Sequence, residues 1–92
     1  MTAGSVKPAL TTAHFNVGLA LLRQDSRSEA REQFEIVIQS DPNDYQAHLH
    51  LGNILLREGN NKAAALHLRK ALQSPRGDLR AAALTALERI KP

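Results

Sequence analysis

The chain has 92 residues, enough for one domain with a modest core, so a folded form needs regular local packing or a partner. It contains no Cys, no Trp, two Phe and one Tyr, which excludes a disulfide framework or a thiolate metal site and argues against aromatic platforms for single-stranded nucleic acid. The formal charge of +3 is uneven, with four basic and six acidic side chains in residues 1–44 against eight and three in residues 45–92, an asymmetry that can steer an acidic partner or favour head-to-tail contact between copies.

Residues 1–8 contain no apolar run of signal-peptide length and read as a flexible lead-in to a domain over 9–92. Nothing further along approaches the roughly 20 apolar residues of a membrane span, so a soluble, cytoplasmic protein is expected. A first helix is predicted over 9–23, with Val17 and Leu21 on one face. The polar break Gln24-Asp25-Ser26-Arg27 follows, and Ser26 with Glu29 has the spacing of a capping box. Ala30, Phe34, Val37 and Ile38 then mark a helix over 27–40, which Asp41-Pro42-Asn43-Asp44 ends. Asp44 is placed to cap a third helix over 45–58. Gly59 suits a left-handed stop and Asn60 the cap of a fourth helix over 61–73. Ser74-Pro75-Arg76-Gly77-Asp78 closes that helix, and Asp78 is expected to cap a fifth over 78–90. The connections are short, so neighbouring helices should run antiparallel.

The chain also repeats itself. Displaced by 34 positions, Thr11–Asp44 lies over Tyr45–Asp78 without a gap. The coincident residues are Ala13/Ala47, His14/His48, Gly18/Gly52, Leu21/Leu55, Leu22/Leu56, Arg23/Arg57, Ala30/Ala64, Gln39/Gln73, Ser40/Ser74 and Asp44/Asp78. Unrelated residues would match at about two or three positions. A third, partial copy starts at Leu79. A helical Gly costs up to about 1 kcal/mol against Ala, so two in register imply helices that cross closely at Gly18 and Gly52, with Ala82 and Ala86 matching the small positions in the fifth helix.

A helix–turn–helix unit of 34 residues, with His14, Val17-Gly18, Leu21, Ala30, Phe34, Val37 and Pro42 in one copy and His48, Leu51-Gly52, Leu55, Ala64, Leu68 and Ala71 in the next, resembles the tetratricopeptide repeat family. His replaces the family's usual Trp in both copies, Leu replaces the usual Tyr, and the second Pro comes one place early, at Pro75. Ala81-Ala82-Ala83-Leu84 also has a weaker likeness to a HEAT-type helix. The resemblance implies an all-α, right-handed α-solenoid of antiparallel helix pairs. It would comprise repeats over 11–44 and 45–78 and a capping helix over 79–90.

Chemistry-bearing motifs are scarce. His14 and His48 share a repeat position and are expected to pack between helices; His48 and His50 point to different faces, and His67 beside Lys70 is expected on an outer face. No cofactor loop, metal constellation or catalytic motif appears, and the serines fall at caps and helix ends. Arg76-Gly77-Asp78 spells an adhesion tripeptide, but Gly and Asp there are what a turn and a cap require.

The resemblance does imply a partner. In that family the first helices of successive repeats line a concave groove. In this sequence its positions are Thr12, Phe15, Asn16, Leu19, Leu22 and Arg23 in the first helix. In the third they are Gln46, Leu49, His50, Asn53, Leu56 and Arg57, and in the fifth Arg80, Ala83, Leu87 and Ile90, with Leu84 at the margin. Members that hold acidic chaperone tails use Lys and Asn where this chain has Phe15, Leu19, His50, Arg80 and Leu84, so that target is disfavoured. An apolar strip bordered by Asn16, Asn53, Arg23 and Arg57 fits a short hydrophobic peptide or an amphipathic helix of another protein. Self-association into a homo-oligomer is the alternative, and the basic face makes nucleic acid a third, weaker one.

Overall fold

The computed structural model describes residues 8–90, with side chains from Leu10 onward; of the lead-in expected over residues 1–8, residues 1–7 lie outside them and Pro8 opens the first helix. Among the described residues the protein is five helices and no strand: α1 (Pro8–Arg23), α2 (Arg27–Ser40), α3 (Tyr45–Arg57), α4 (Asn61–Ala71) and α5 (Gly77–Glu88). All five predicted spans are present, with ends displaced by at most two residues. The helices form two compact units that divide between Asp44 and Tyr45, where the second 34-residue block begins.

The first unit is the pair α1 and α2. Ala30, Phe34 and Val37 form the inward stripe of α2 and are fully buried. Phe34 fills the space left by the missing side chain of Gly18: a Cβ there would stand 2.8 Å from its Cζ. Phe15 meets the same ring edge-on, with centroids 5.4 Å apart, the arrangement favoured by the aromatic quadrupole. Val17, on the predicted apolar face with Leu21, is 47% exposed.

The second unit is α3 and α4, with α5 packed on both. Its core joins Leu49, Leu55, Ala64, Leu68, Ala71, Leu79, Ala83 and Ala86. Leu68 stands where Phe34 stands one repeat earlier and reaches Gly52 more closely still, 2.5 Å from a notional Cβ. Gly at this position lets a large side chain of the second helix seat against the first helix's backbone in both repeats.

The turns repeat as well. Asp25 and Gly59, 34 positions apart, both take the left-handed conformation, at φ 62° and 81°. Each is flanked by the paired bonds of a Schellman stop. Ser26 N–H donates to Leu21 O at 2.8 Å and Asp25 N–H to Leu22 O at 3.0 Å; Asn60 N–H donates to Leu55 O at 2.9 Å and Gly59 N–H to Leu56 O at 3.0 Å. Asn60 Oδ1 accepts from Ala63 N–H at 3.3 Å, as expected. Two expected caps differ. Ser26 occupies the N-cap without a side-chain bond, and Arg76 rather than Asp78 is the N-cap of α5. The helix starts one residue earlier than expected, and Asp78, inside its first turn, is held by Arg76 at 2.7 Å. That guanidinium keeps the Asp78 carboxyl below its ordinary pKa.

Candidate functional site

The positions singled out in the sequence separate by burial. In the first unit Thr12, Asn16 and Arg23 are exposed, while Phe15, Leu19 and Leu22 are half-buried and retain open surface. In the second, Gln46, Asn53 and Arg57 are exposed, and His50 and Leu56 half-buried. Leu49 and Ala83 are core residues, 8% and 0% exposed, so neither offers an open apolar face. Leu87 and Ile90 are half-buried against that core. Arg80 turns back along the chain: its Nη1 donates to Ser74 O at 2.8 Å and ties the α4–α5 connection. Leu84 is 52% exposed.

Three of these residues meet at one place. Asn53, Leu56 and Arg57 of α3 line a pocket of about 440 Å³, closed on its other side by Ala82, Thr85, Ala86 and Arg89 of α5. Helical spacing explains both walls. Asn53 and Arg57 stand one turn apart on α3, as do Thr85 and Arg89 on α5, and Ala82 and Ala86 complete the same α5 stripe. None of the four α5 residues was among the predicted groove positions, although Arg89 belongs to the basic face. The signal was available in the repeat register: these positions correspond to His48, Leu51, Gly52 and Leu55 of α3, all buried. In α3 that face receives α4, whereas in α5 its counterpart lines the pocket.

The repeat-related histidines each join the two helices of a pair. His14 Nδ1–H donates to Gln33 Oε1 at 2.8 Å. One repeat on, His48 Nδ1 and His67 Nδ1 are 3.0 Å apart and the rings are stacked, centroids 5.2 Å apart. One ring must donate and the other accept, so both cannot be protonated. The expectation that His67 lies on an outer face is corrected: it is half-buried against His48. Burial first, and then the charge of His48, hold its pKa below the ordinary 6.5.

Among the described residues no group of three or more His, Cys, Asp or Glu is arranged to hold a metal ion. No described helix is long and apolar enough to cross a membrane. No curated protein matches the chain. The sequence profile of the Tetratricopeptide repeat family matches residues 15–78, more than half of the chain. Repeats of this family generally mediate protein–protein interaction and are typically non-catalytic. The matched region, the paired helices and the recurring small-residue crossings agree, and the chain belongs to the tetratricopeptide repeat family.

Proposed function

We propose that the chain is an interaction adaptor that binds a short hydrophobic or amphipathic segment of another protein. The observation that carries this reading is the pocket between α3 and α5, where Leu56 lies between Asn53 and Arg57 at three of the predicted groove positions. Phe15, Leu19 and Leu22 keep apolar surface at the matching positions of α1. Amide and guanidinium borders suit such a target, since they bond a peptide backbone and its acidic flanks while the apolar centre excludes water. The test is selection of a phage-displayed 12-residue peptide library against the full chain, followed by affinity measurement on Leu19→Glu and Leu56→Glu variants. Apolar peptides should be enriched, and each variant should weaken them at least tenfold while far-UV circular dichroism stays unchanged. Equal affinity for both folded variants would remove the reading.

A second reading has its own observation. On α1, Leu10 and Val17 are 54% and 47% exposed, and Ala13 is exposed. Ala47 and Leu51, the second-repeat counterparts of Ala13 and Val17, are fully buried. A face built like a covered one but left open, on a chain with an acidic first half and a basic second half, suits head-to-tail self-association. Light scattering across a concentration series decides this: a mass that rises with concentration and reverts in Val17→Glu supports it, and a monomer throughout excludes it.

A further inference from the structure

We infer that His48 and His67 form a two-imidazole site for a divalent first-row transition metal, held most tightly as Cu²⁺, that clasps α3 to α4. The inference is independent of the peptide-binding reading, which needs no metal.

The first repeat closes its helix pair with His14 on Gln33, and the second closes it with His48 on His67. The positions correspond one to one, 34 residues apart. An imidazole on an amide is therefore enough to join the two helices, and the amide can donate or accept as its partner requires. Two imidazoles do the same job only when their tautomers match, with one Nδ1 protonated and the other bare. What the second imidazole adds is a second ring nitrogen directed at the first. The chemistry that uses both lone pairs at once is metal coordination, for which neutral imidazole is a common ligand.

The spacing selects the ion. The two Nδ1 atoms are 3.0 Å apart. With metal–nitrogen bonds of about 2.0–2.1 Å, that separation subtends about 91–97° at an ion lying off the line between them. This is the cis angle of a square-planar or tetragonal site, the geometry of Cu²⁺ and Ni²⁺, and Cu²⁺ stands highest in the divalent affinity order. Tetrahedral Zn²⁺ would need the nitrogens to part by about 0.3 Å. The ring planes are inclined by 30° with centroids 5.2 Å apart, so small side-chain rotations carry the lone pairs from head-on to converging.

The surroundings admit an ion. His48 is 8% exposed and is held by the packing of α3, while half-buried His67 leaves an outer side for entry and for water to complete the coordination. Ala63, Ala64 and Ala71 stand one turn to either side of His67, and their methyl groups leave room there. The nearest cation along α4 is engaged elsewhere: Lys70 Nζ donates to Gln73 Oε1 at 3.3 Å and lies 6.0 Å from the centroid of the Tyr45 ring. Only the folded helix pair brings the two histidines together, so the ion should stabilise that pair by mass action.

The test is titration of the full, metal-free chain with Cu²⁺ in buffer containing glycine, a weak chelator that competes for adventitious sites. Pulsed electron paramagnetic resonance counts the coordinated imidazoles. We predict one equivalent of Cu²⁺ on two imidazoles and a thermal unfolding midpoint that rises on loading. His67→Gln, which copies the first repeat's pairing, should stay helical and lose the midpoint rise. It should bind at least tenfold more weakly, since even an outer-shell partner is worth about tenfold. His14→Gln and His50→Gln should bind as the parent does. A parent chain that takes up no Cu²⁺ against glycine, or holds it by one imidazole, would overturn the site. Unchanged affinity in His67→Gln would overturn it too, by assigning the ion to other groups. Should His67→Gln fail to fold, the parent decides alone. Substoichiometric Cu²⁺ should broaden the ring resonances of His48 and His67 ahead of those of His14 and His50, and the reverse order would overturn the inference.

Discussion

His48 and His67 share one hydrogen bond through two Nδ1 atoms, whereas the equivalent pair one repeat earlier, His14 and Gln33, uses a side-chain amide that does not titrate. The folded-state pKa of His67 is depressed, so the unfolded chain takes up this proton first as pH falls. Its contribution is complete above about pH 6.5, the ordinary value, and is lost as pH falls from there through the lowered folded value. His67→Gln would reproduce the first repeat's pairing. We expect it to keep most of the stability at pH 7.5 and to flatten the loss between pH 7 and pH 5, read as the urea midpoint at each pH. Equal acid sensitivity in both proteins would show that the pair is not the cause. The crossing glycines give a second expectation. Ala is the better helix former by about 1 kcal/mol, yet a Cβ at Gly52 would lie 2.5 Å from both Cγ and Cδ2 of Leu68. Overpacking of this kind costs about 1–3 kcal/mol, so Gly52→Ala should be net destabilising. Gly18→Ala should cost less, because its nearest contact is the tip of the Phe34 ring. A Gly52→Ala protein more stable than the parent would contradict the packing.

The helix ends carry expectations of their own. Asn60 caps α4 through its side chain while Ser26 makes no such bond at the start of α2. Asn60→Ala should therefore cost about 1 kcal/mol and Ser26→Ala less than half of that, measurable by urea denaturation. Gly59 has nothing within 4 Å of a notional Cβ, but its φ of +81° places a side chain in a conformation costing about 1–2 kcal/mol. Gly59→Ala should lose about that amount without any clash. These contrasts mark what the sequence reveals. Apolar spacing and the 34-residue self-match placed five helices to within two residues, because burial of Ala30, Phe34, Ala64 and Leu68 obeys the helical period. A capping motif marks the neighbourhood of a helix start without fixing which atoms bond, so Ser26 caps α2 without a side-chain bond and Arg76 replaces Asp78 as the N-cap of α5. Asp25 gave no glycine signal, although it turns left-handed as Gly59 does. His67 looked solvent-facing beside Lys70 because the sequence does not reveal that the ring stacks across to His48 on another helix.

For the whole molecule, the α3 wall of the pocket was legible and the α5 wall was not. The groove positions were taken from complete repeats, in which a second helix covers one face of each first helix. In α5 the residues Ala82, Thr85 and Arg89 of that face line the pocket, while Ala83 and Leu87 pack in or against the core. Peptide binding is proposed at this α5 face together with Leu56. The most direct measurement is a set of ¹H–¹⁵N correlation spectra of the full chain, titrated with a peptide selected from the library. We predict saturable shifts that include Asn53, Leu56, Arg57, Thr85 and Arg89. Shifts confined to residues away from the pocket, such as Glu35 of α2 and Leu66 of α4, with the pocket residues unmoved at saturation, would contradict it.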